Sequence, residues 1–385
     1  MSLFFGGRRE KRDAFPEPPI PRPTGGAWNF SNVNLAQAES SLQKVAVWSA
    51  VDLIASLGSI LPVDVYEGTG DSQREIPKPK ILEDPSGEGY GLPDWTYQYL
   101  MSLLLRGNTN GHVADRDRLG NPTQIVLYHP DDVQGWRNPK TGLKTWRAGG
   151  TEVPDAEMWH QRAFVIPGRL MGLSPIAHHA TTIGQGIAAA RFGMQWFQDG
   201  AHPSGILTNE QDLKPGQAAT AKERFMAALR GRREPLVLGG SWKFQAIQVA
   251  PEESQFLETQ KYTAAECARI YGPGMPEILG YETGGSMTYT NVEQQGLNLL
   301  TYTLDRWLTR TEYMFTRLLP PGQFVKINRA ALTRTDLLTR YKAHALSLQN
   351  RWAVPNEVRK IEDQPPTDWG DKPLTENAPK VQIGD

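Results

Sequence analysis

His178 and His179 stand side by side, and two neighbouring imidazoles raise the question of a metal ligand pair. The pattern around them is helical, and adjacent residues on a helix point to different faces, so the pair cannot grip one ion. Asp131 and Asp132 could be paired carboxylates for acid–base work, but they follow an apolar run and a proline, which is the setting of a turn. Cys267 is the single cysteine, which excludes a disulfide framework and a multi-cysteine metal site. Its place on the apolar stripe of a helix points to inert burial. GLSPI (172–176) lacks the second glycine of a nucleophile elbow. GPGMPE (272–277) lacks the third glycine of a dinucleotide fingerprint and follows a helix, the wrong context. No G-x-x-x-x-G-K-[ST] phosphate loop occurs. The expectation is a protein with no catalytic residue, no cofactor and no metal site, and not an enzyme.

Two stretches suit contact rather than catalysis. GGSMTYTNVEQQGL (284–297) begins with Gly284, Gly285, Ser286, Met287, Thr288 and Tyr289, an uncharged, hydroxyl-rich run. Thr290 and Glu293 follow at capping-box spacing, and a long apolar series begins at Leu297. The reading is a loose loop anchored at the start of a long helix. The second stretch is RGRR, with Arg230, Arg232 and Arg233 grouped near Lys222 and Arg224. It reads either as a solvated charged tip or as a docking patch for an acidic partner or a phosphate backbone. The formal net charge of −1 gives no global basic field.

The elements that must hold these stretches follow from periodicity. Residues 1–30 contain PEPPIPRP and read as an extended arm, while the last residues are polar and acidic. The opening MSLFFGGRREKRD lacks an apolar core long enough for a secretion signal. The apolar segment 45–61 contains Asp52, falls short of a membrane span, and fits a buried helix over 42–57. A strand at 62–66, a helix at 94–105 and short β-runs over 111–150, with QIVLY (124–128) the clearest, form an α/β section. A helix over 175–198 carries an apolar stripe through Ile176, Ala180, Ile183, Ile187, Ala190, Met194 and Phe197. Gly184, Gly186, Ala188, Ala189 and Gly193 keep its other faces small, which predicts close neighbours on several sides. A helix over 215–229, a tight hairpin joining 235–238 to 241–249, and a helix over 252–271 come next. A long helix is predicted from about 291 to 319, with Leu297, Leu300, Leu304, Trp307, Leu308, Met314, Phe315 and Leu318 on one stripe.

Five stretches in order resemble the portal proteins of tailed double-stranded-DNA bacteriophages, of the long-tailed siphophage type. They are VWSAVDLIASLGSILPVDVYEG; RAFVIPGRLMGLSPI with WFQDGAHPSGIL; FQAIQVAPEESQFLETQKYTAAECARIYGPGMPEILG; TYTNVEQQGLNLLTYTLDRWL; and RYKAHALSLQNRWAVPNEVRKIEDQPP. The resemblance runs from about residue 42 to 372. There are departures. Arg351 stands where a helix-stopping glycine follows Asn350, which predicts a left-handed Asn350. Ala250 occupies an N-cap place, and the extra glycine of GPGMPE predicts a looser helix end.

The resemblance implies an α+β portal fold: an arm (1–30), an α/β wing (31–172), a first stem helix (173–201), a small αββ clip (202–250) and a second stem helix (251–280). A tunnel loop (281–290), a long kinked wing helix and strand (291–330), a helical crown (331–372) and a flexible tail (373–385) complete it. It implies a homo-oligomeric ring, usually of twelve, at one capsid vertex of the virion, assembled in the host cytoplasm. DNA would be packaged and ejected through its centre. Implied partners are double-stranded DNA bound without sequence specificity, the large terminase ATPase, a head–tail adaptor and the major capsid protein, with no membrane. The DNA channel role falls to Gly284, Gly285, Ser286, Met287, Thr288 and Tyr289, motor or adaptor docking to Arg230, Arg232 and Arg233, and loop anchoring to Thr290 and Glu293. A ring agrees with the small-faced helix and with near-neutral charge, since each phosphate neutralised adds affinity and DNA must slide. The competing readings are another head–tail connector ring, which is usually shorter, and a DNA-processing enzyme, which needs a phosphate loop or a carboxylate cluster.

Overall fold

The computed structural model describes residues 29–30, 33–34, 38–198, 205–209, 219–220, 223, 242–246, 251–282, 289–332, 337–362 and 364–373. In chain order the larger elements are α1 (Val45–Ile60), β1 (Val63–Glu67), β2 (Arg74–Ile76), α2 (Gly91–Arg106), β3 (Asn108–Arg116) and β4 (Pro122–Leu127). Then come β5 (Val133–Arg137), β6 (Lys144–Ala148), β7 (Thr151–Val153), β8 (Met158–Arg162) and α3 (Ala180–Gln198), the last preceded by a short helical turn at Pro175–His178. After these follow β9 (Gly205–Asn209), β10 (Trp242–Ala246), α4 (Pro251–Arg269), α5 (Tyr289–Leu299), a π-helical turn (Leu300–Leu304) and α6 (Asp305–Thr316). Strand β11 (Gln323–Ile327), α7 (Leu337–Gln349) and α8 (Pro355–Ile361) close the order. Helices alternate with small antiparallel sheets, so the class is α+β. None of the described helices is long and apolar enough to cross a membrane.

The chain divides into two compact units, one of residues 1–59 and 80–307, the other of residues 60–79 and 308–385. In the first unit the sheet β8-β3-β4 lies under α2. Trp95, Tyr99 and Trp159 pack as a buried aromatic group, with ring centroids 5.4 to 6.1 Å apart. The indole of Trp95 donates to the Ile125 carbonyl at 2.9 Å, and the Thr109 hydroxyl donates to the Tyr99 carbonyl at 2.8 Å. The apolar face of α1 (Val47, Val51, Ile54) is fully buried, as its composition predicted. The second sheet, β5-β6-β7, wraps Trp146, which packs with Val133, Ala148, Met158 and Leu170. Gly135 lies so close that a Cβ there would come 2.3 Å from the Trp146 ring.

The passage from these sheets to α3 is tightly specified. Helix α2 ends at Gly107, left-handed at φ 68°, whose amide donates to the Leu103 carbonyl at 2.8 Å. The Gly107 carbonyl accepts from the Ala163 amide at 2.8 Å. Asn108, fully enclosed, donates to the Arg106 and Gly172 carbonyls at 2.9 Å each and accepts from the Gly172 amide at 2.7 Å. It also faces His160, whose Nε2 lies 3.1 Å from Oδ1. Burial pushes that imidazole down to about 3, so it is neutral and Nε2–H donates. The Ser174 hydroxyl donates to the Leu105 carbonyl and caps the turn at Ala177, 3.0 and 3.1 Å away.

In the second unit β1 is the centre of the sheet β11-β1-β2. Glu312 on α6 accepts from the Ile327 amide at 2.7 Å and holds both guanidinium nitrogens of Arg329, at 2.6 and 3.0 Å. The following helices α7 and α8 meet through Glu362, which accepts from Arg340 at 2.9 Å and contacts His344 Nε2 at 3.0 Å. Burial alone would raise the Glu362 pKa, but the His344 and Arg340 hydrogen bonds outweigh it and hold the group below the usual carboxylate range.

Several expectations are corrected. The described partner of Trp242–Ala246 is Gly205–Asn209, a strand the periodicity missed, while the predicted pairing with 235–238 lies outside the described residues. The long helix contains a π turn at Leu300–Leu304 and ends at Thr316 rather than at 319. Arg351, not Asn350, takes the left-handed conformation, at φ 60°. Asp131 is more than a turn residue: it forms a largely buried pair with Arg106, with contacts of 2.5 and 3.0 Å.

The Gly107 geometry makes a direct prediction. A Cβ there would stand 2.0 Å from the Leu173 carbonyl oxygen, on a backbone that disfavours any side chain. Gly107→Ala should cost at least about 2 kcal/mol, read as a lowered unfolding midpoint in denaturant. An unchanged midpoint would show that this approach is looser than the geometry requires.

Candidate functional site

Residues 283–288 fall between two described segments. On their N-terminal side, α4 ends in the turn 272–276 and a short helix at Met275–Ile278. Tyr281 donates its amide to the Pro276 carbonyl at 2.8 Å, and Arg269 pairs with both Glu266 and Glu282. Residues 283–288, which include Gly284, Gly285, Ser286, Met287 and Thr288, lie outside the described residues. On the far side α5 begins at Tyr289, so Tyr289 belongs to the helix, and Thr290 sits within its first turn rather than ahead of it. The side chains of Tyr289, Thr290 and Glu293 lie outside the described set, as do Arg230, Arg232 and Arg233 in full.

What holds α5 in place was not anticipated. The π turn at Leu300–Leu304 inserts one extra residue into the helix. Thr303 in that turn is fully buried, and its hydroxyl donates to the Pro273 carbonyl at 2.5 Å. Arg306, one turn on, donates to the Tyr271 carbonyl, also at 2.5 Å. Gly272 adopts φ 145°, and a Cβ there would come 2.6 Å from the Thr303 hydroxyl. The glycines of GPGMP therefore lock the end of α4 onto the long helix, the opposite of the looser end that the extra glycine predicted. The extra residue also shifts the apolar stripe: Leu297, expected on it, is exposed, and Leu299 is buried instead.

Helices α3 and α4 pack on each other. Gly186 serves this pairing, since a Cβ there would meet Thr263 Cγ2 at 2.9 Å and Lys44 Cε at 3.0 Å. Its small size thus admits a second helix of the same chain at close range, one of the close neighbours that the small faces predicted. The predicted stripe on α3 is buried through Ile176, Ala180, Ile183 and Ile187, after which Ala190 and Met194 are exposed, as is Phe192. Cys267 is fully buried and its thiol is pushed up to about 11 by burial, which leaves it the inert core residue expected.

Among the described residues one group, Glu39, His129 and Asp131, has the composition of a metal site. Its hydrogen bonds are already committed. His129 Nε2 lies 2.6 Å from Glu39 Oε1, its Nδ1 accepts from the Asp131 amide at 3.3 Å, and both Asp131 oxygens hold Arg106. A cation would have to displace that guanidinium. The group reads as a pin between the segment before α1 and the end of α2.

Comparison with known proteins adds the following. The family model described as phage portal protein matches residues 45–363. The probable portal protein of Streptomyces phage phiC31 is 30% identical over 349 residues, covering 85% of this chain and 76% of that protein. The portal protein of Enterobacteria phage HK97 is 26% identical over 348 residues, covering 86% and 81%. Among solved structures, a chain in the neck of an empty gene transfer agent particle, computed with C6 symmetry, superposes with a TM-score of 0.63 at 19% identity, covering 86% of this chain and 93% of that one.

The lock between Pro273 and Thr303 can be tested by itself. Thr303→Val keeps the shape and removes the hydroxyl, leaving a carbonyl without this donor. The expected cost is about 1–3 kcal/mol, seen in thermal unfolding. Hydrogen exchange should rise first in residues 294–304. Exchange unchanged there would mean that the hydroxyl does not hold the π turn.

Proposed function

The chain belongs to the phage portal protein family, and from that membership we propose that it forms a closed ring at one vertex of the capsid and encloses the channel through which DNA is packaged and ejected. The family match across 45–363 carries this reading. The cyclic symmetry of the gene transfer agent neck supports a ring of identical copies, for which twelve is our working number. The working location is the virion, with assembly in the host cytoplasm. The role is structural: the protein is a conduit and a platform, and the chemistry of DNA movement belongs to its partners.

We assign the parts by resemblance to the family. Residues 31–172 act as the wing, α3 and α4 as the stem, residues 202–250 as the clip and 331–372 as the crown. The exposed apolar residues at the end of α3, Phe192 and Met194, support burial against a neighbouring stem. The working partners are double-stranded DNA without sequence preference, the large terminase ATPase, a head–tail adaptor and the major capsid protein. Negative-stain microscopy tests the central claim. Rings with a central hole are expected, and a population of monomers and dimers would overturn it.

Residues 284–289 are proposed to line the channel. Small hydroxyls and a methionine touch a duplex without fixing its register, because phosphate neutralisation and base contacts are both absent. The Arg269–Glu282 pair adjoins the N-terminal side of this segment. Deleting residues 284–288 should leave rings intact and impair packaging or retention of DNA in proheads. Normal rings with normal packaging and retention would remove the loop from the channel.

Arg230, Arg232 and Arg233 are proposed to dock the packaging ATPase or the adaptor. Replacing all three with Ser should preserve rings and weaken motor binding, most visibly at low salt, where surface charge is least screened. Equal binding at low salt would return the patch to an ordinary solvated tip.

A further inference from the structure

From Ile270 to Asp305 the chain contains no lysine, arginine or histidine. The charged residues in that stretch are Glu277, Glu282, Glu293 and Asp305. The proposed channel segment, 284–289, lies inside it and carries no charge of its own. Two arginines bound the stretch, Arg269 before it and Arg306 after it. Along the chain these are the cations nearest to any duplex phosphate that passes residues 284–289.

Both guanidinium groups are already engaged by their own chain. Arg269, in the last turn of α4, donates from one terminal nitrogen to Glu266 and from the other to Glu282. Two carboxylates therefore stand against one guanidinium. Arg306 donates to the Tyr271 carbonyl at 2.5 Å and lies over the buried ring of Trp307, 5.3 Å from its centroid. The Arg269 group is within reach of a ligand, since its side chain is 42% exposed and those of its partners 35% and 37%. Exposed ion pairs add little stability, so stability is a weak reason for the second carboxylate. A guanidinium exchanges carboxylate for phosphate readily, because both match its fork of donors. Here that exchange is opposed twice.

We propose that Glu266 and Glu282 mask Arg269, while the Tyr271 carbonyl engages Arg306, so that a duplex passing residues 284–289 meets no unoccupied guanidinium that could grip its phosphates. This rests on the reading above that residues 284–289 line the channel. It adds the residues that keep the passage from becoming a binding site. Unmasked, Arg269 would offer one phosphate contact in every copy of the ring, and each such contact adds affinity that salt removes.

Glu266→Gln and Glu282→Gln together keep the side-chain shapes and remove both charges. Binding of a short fluorescent duplex to rings verified by microscopy is followed by anisotropy over a salt series. The double variant should bind several-fold tighter than the parent at low salt, with a steeper fall as salt rises. Adding Arg269→Gln should abolish the gain. No gain, or a gain that survives Arg269→Gln, would overturn the masking. Arg269→Gln alone decides the matter if the double variant fails to form rings: affinity and salt dependence should equal the parent's. A loss would show that Arg269 already holds phosphate and would overturn the proposal. Rings carrying Ser286→Cys with a thiol-linked photocrosslinker separate this from the reading it rests on. Cys267 is buried and its thiol is pushed up to about 11, which directs the label to position 286. Crosslinks to the duplex, with binding unchanged in the double variant, would sink the masking alone. Rings without crosslinks would remove the loop from the path of DNA and the proposal with it.

Discussion

Within the first unit, everything depends on one close approach of backbone to backbone. Where a side chain at Gly107 would begin, the carbonyl of Leu173 already lies. Where a side chain at Gly172 would begin, the carbonyls of Ala163 and Gly107 already lie, at 2.2 and 2.3 Å. Only glycine fits at either point. The gap is sealed by Asn108, whose amide uses both ends, donating to two carbonyls and accepting from an amide and an imidazole. Such a fully connected polar group in a dry interior fixes one geometry and penalises every other. The direction in which the chain leaves the sheet toward α3 is set here.

The π turn acts similarly farther along the chain. A regular helix would have placed Leu297 inward and carried the apolar stripe straight through. The extra residue turns the preceding helix so that Leu299 goes inward, and the widened turn lets Thr303 reach the Pro273 carbonyl. The end of α4 is thereby fixed to the π turn that follows α5.

Much of this was legible in the sequence, for identifiable reasons. Helices α1 and α2 and the strands at 63–67 and 122–127 announced themselves because local periodicity and turn chemistry both pointed the same way. The family was legible because five separate stretches matched in order. The rest was hidden because it depends on distant partners. Nothing near Trp242 says that its strand pairs with Gly205–Asn209. Nothing near Asp131 names Arg106. Gly186 read correctly as a point of close approach, but a small residue does not say whether its neighbour is Thr263 of the same chain or another molecule. The π turn has no composition signal, since Leu-Thr-Tyr-Thr-Leu suits an α-helix equally well. The one available hint was the double glycine of GPGMP, which marks backbone close to something.

The second unit is assembled from two pieces of chain, and this has a consequence for how the protein is made. Val65 of β1 pairs with Val325 of β11, and β1 is the central strand. The early segment leaves the ribosome with its sheet partner still untranslated. At roughly 5–20 residues per second, tens of seconds pass before β11 emerges. During that interval β1 has an open, largely apolar edge, the kind that recruits other nascent strands. Closing so long a loop is entropically slow. The first unit, complete through residue 307, can fold before that closure, so the order of synthesis presents the closing segment to a partner already tethered in position.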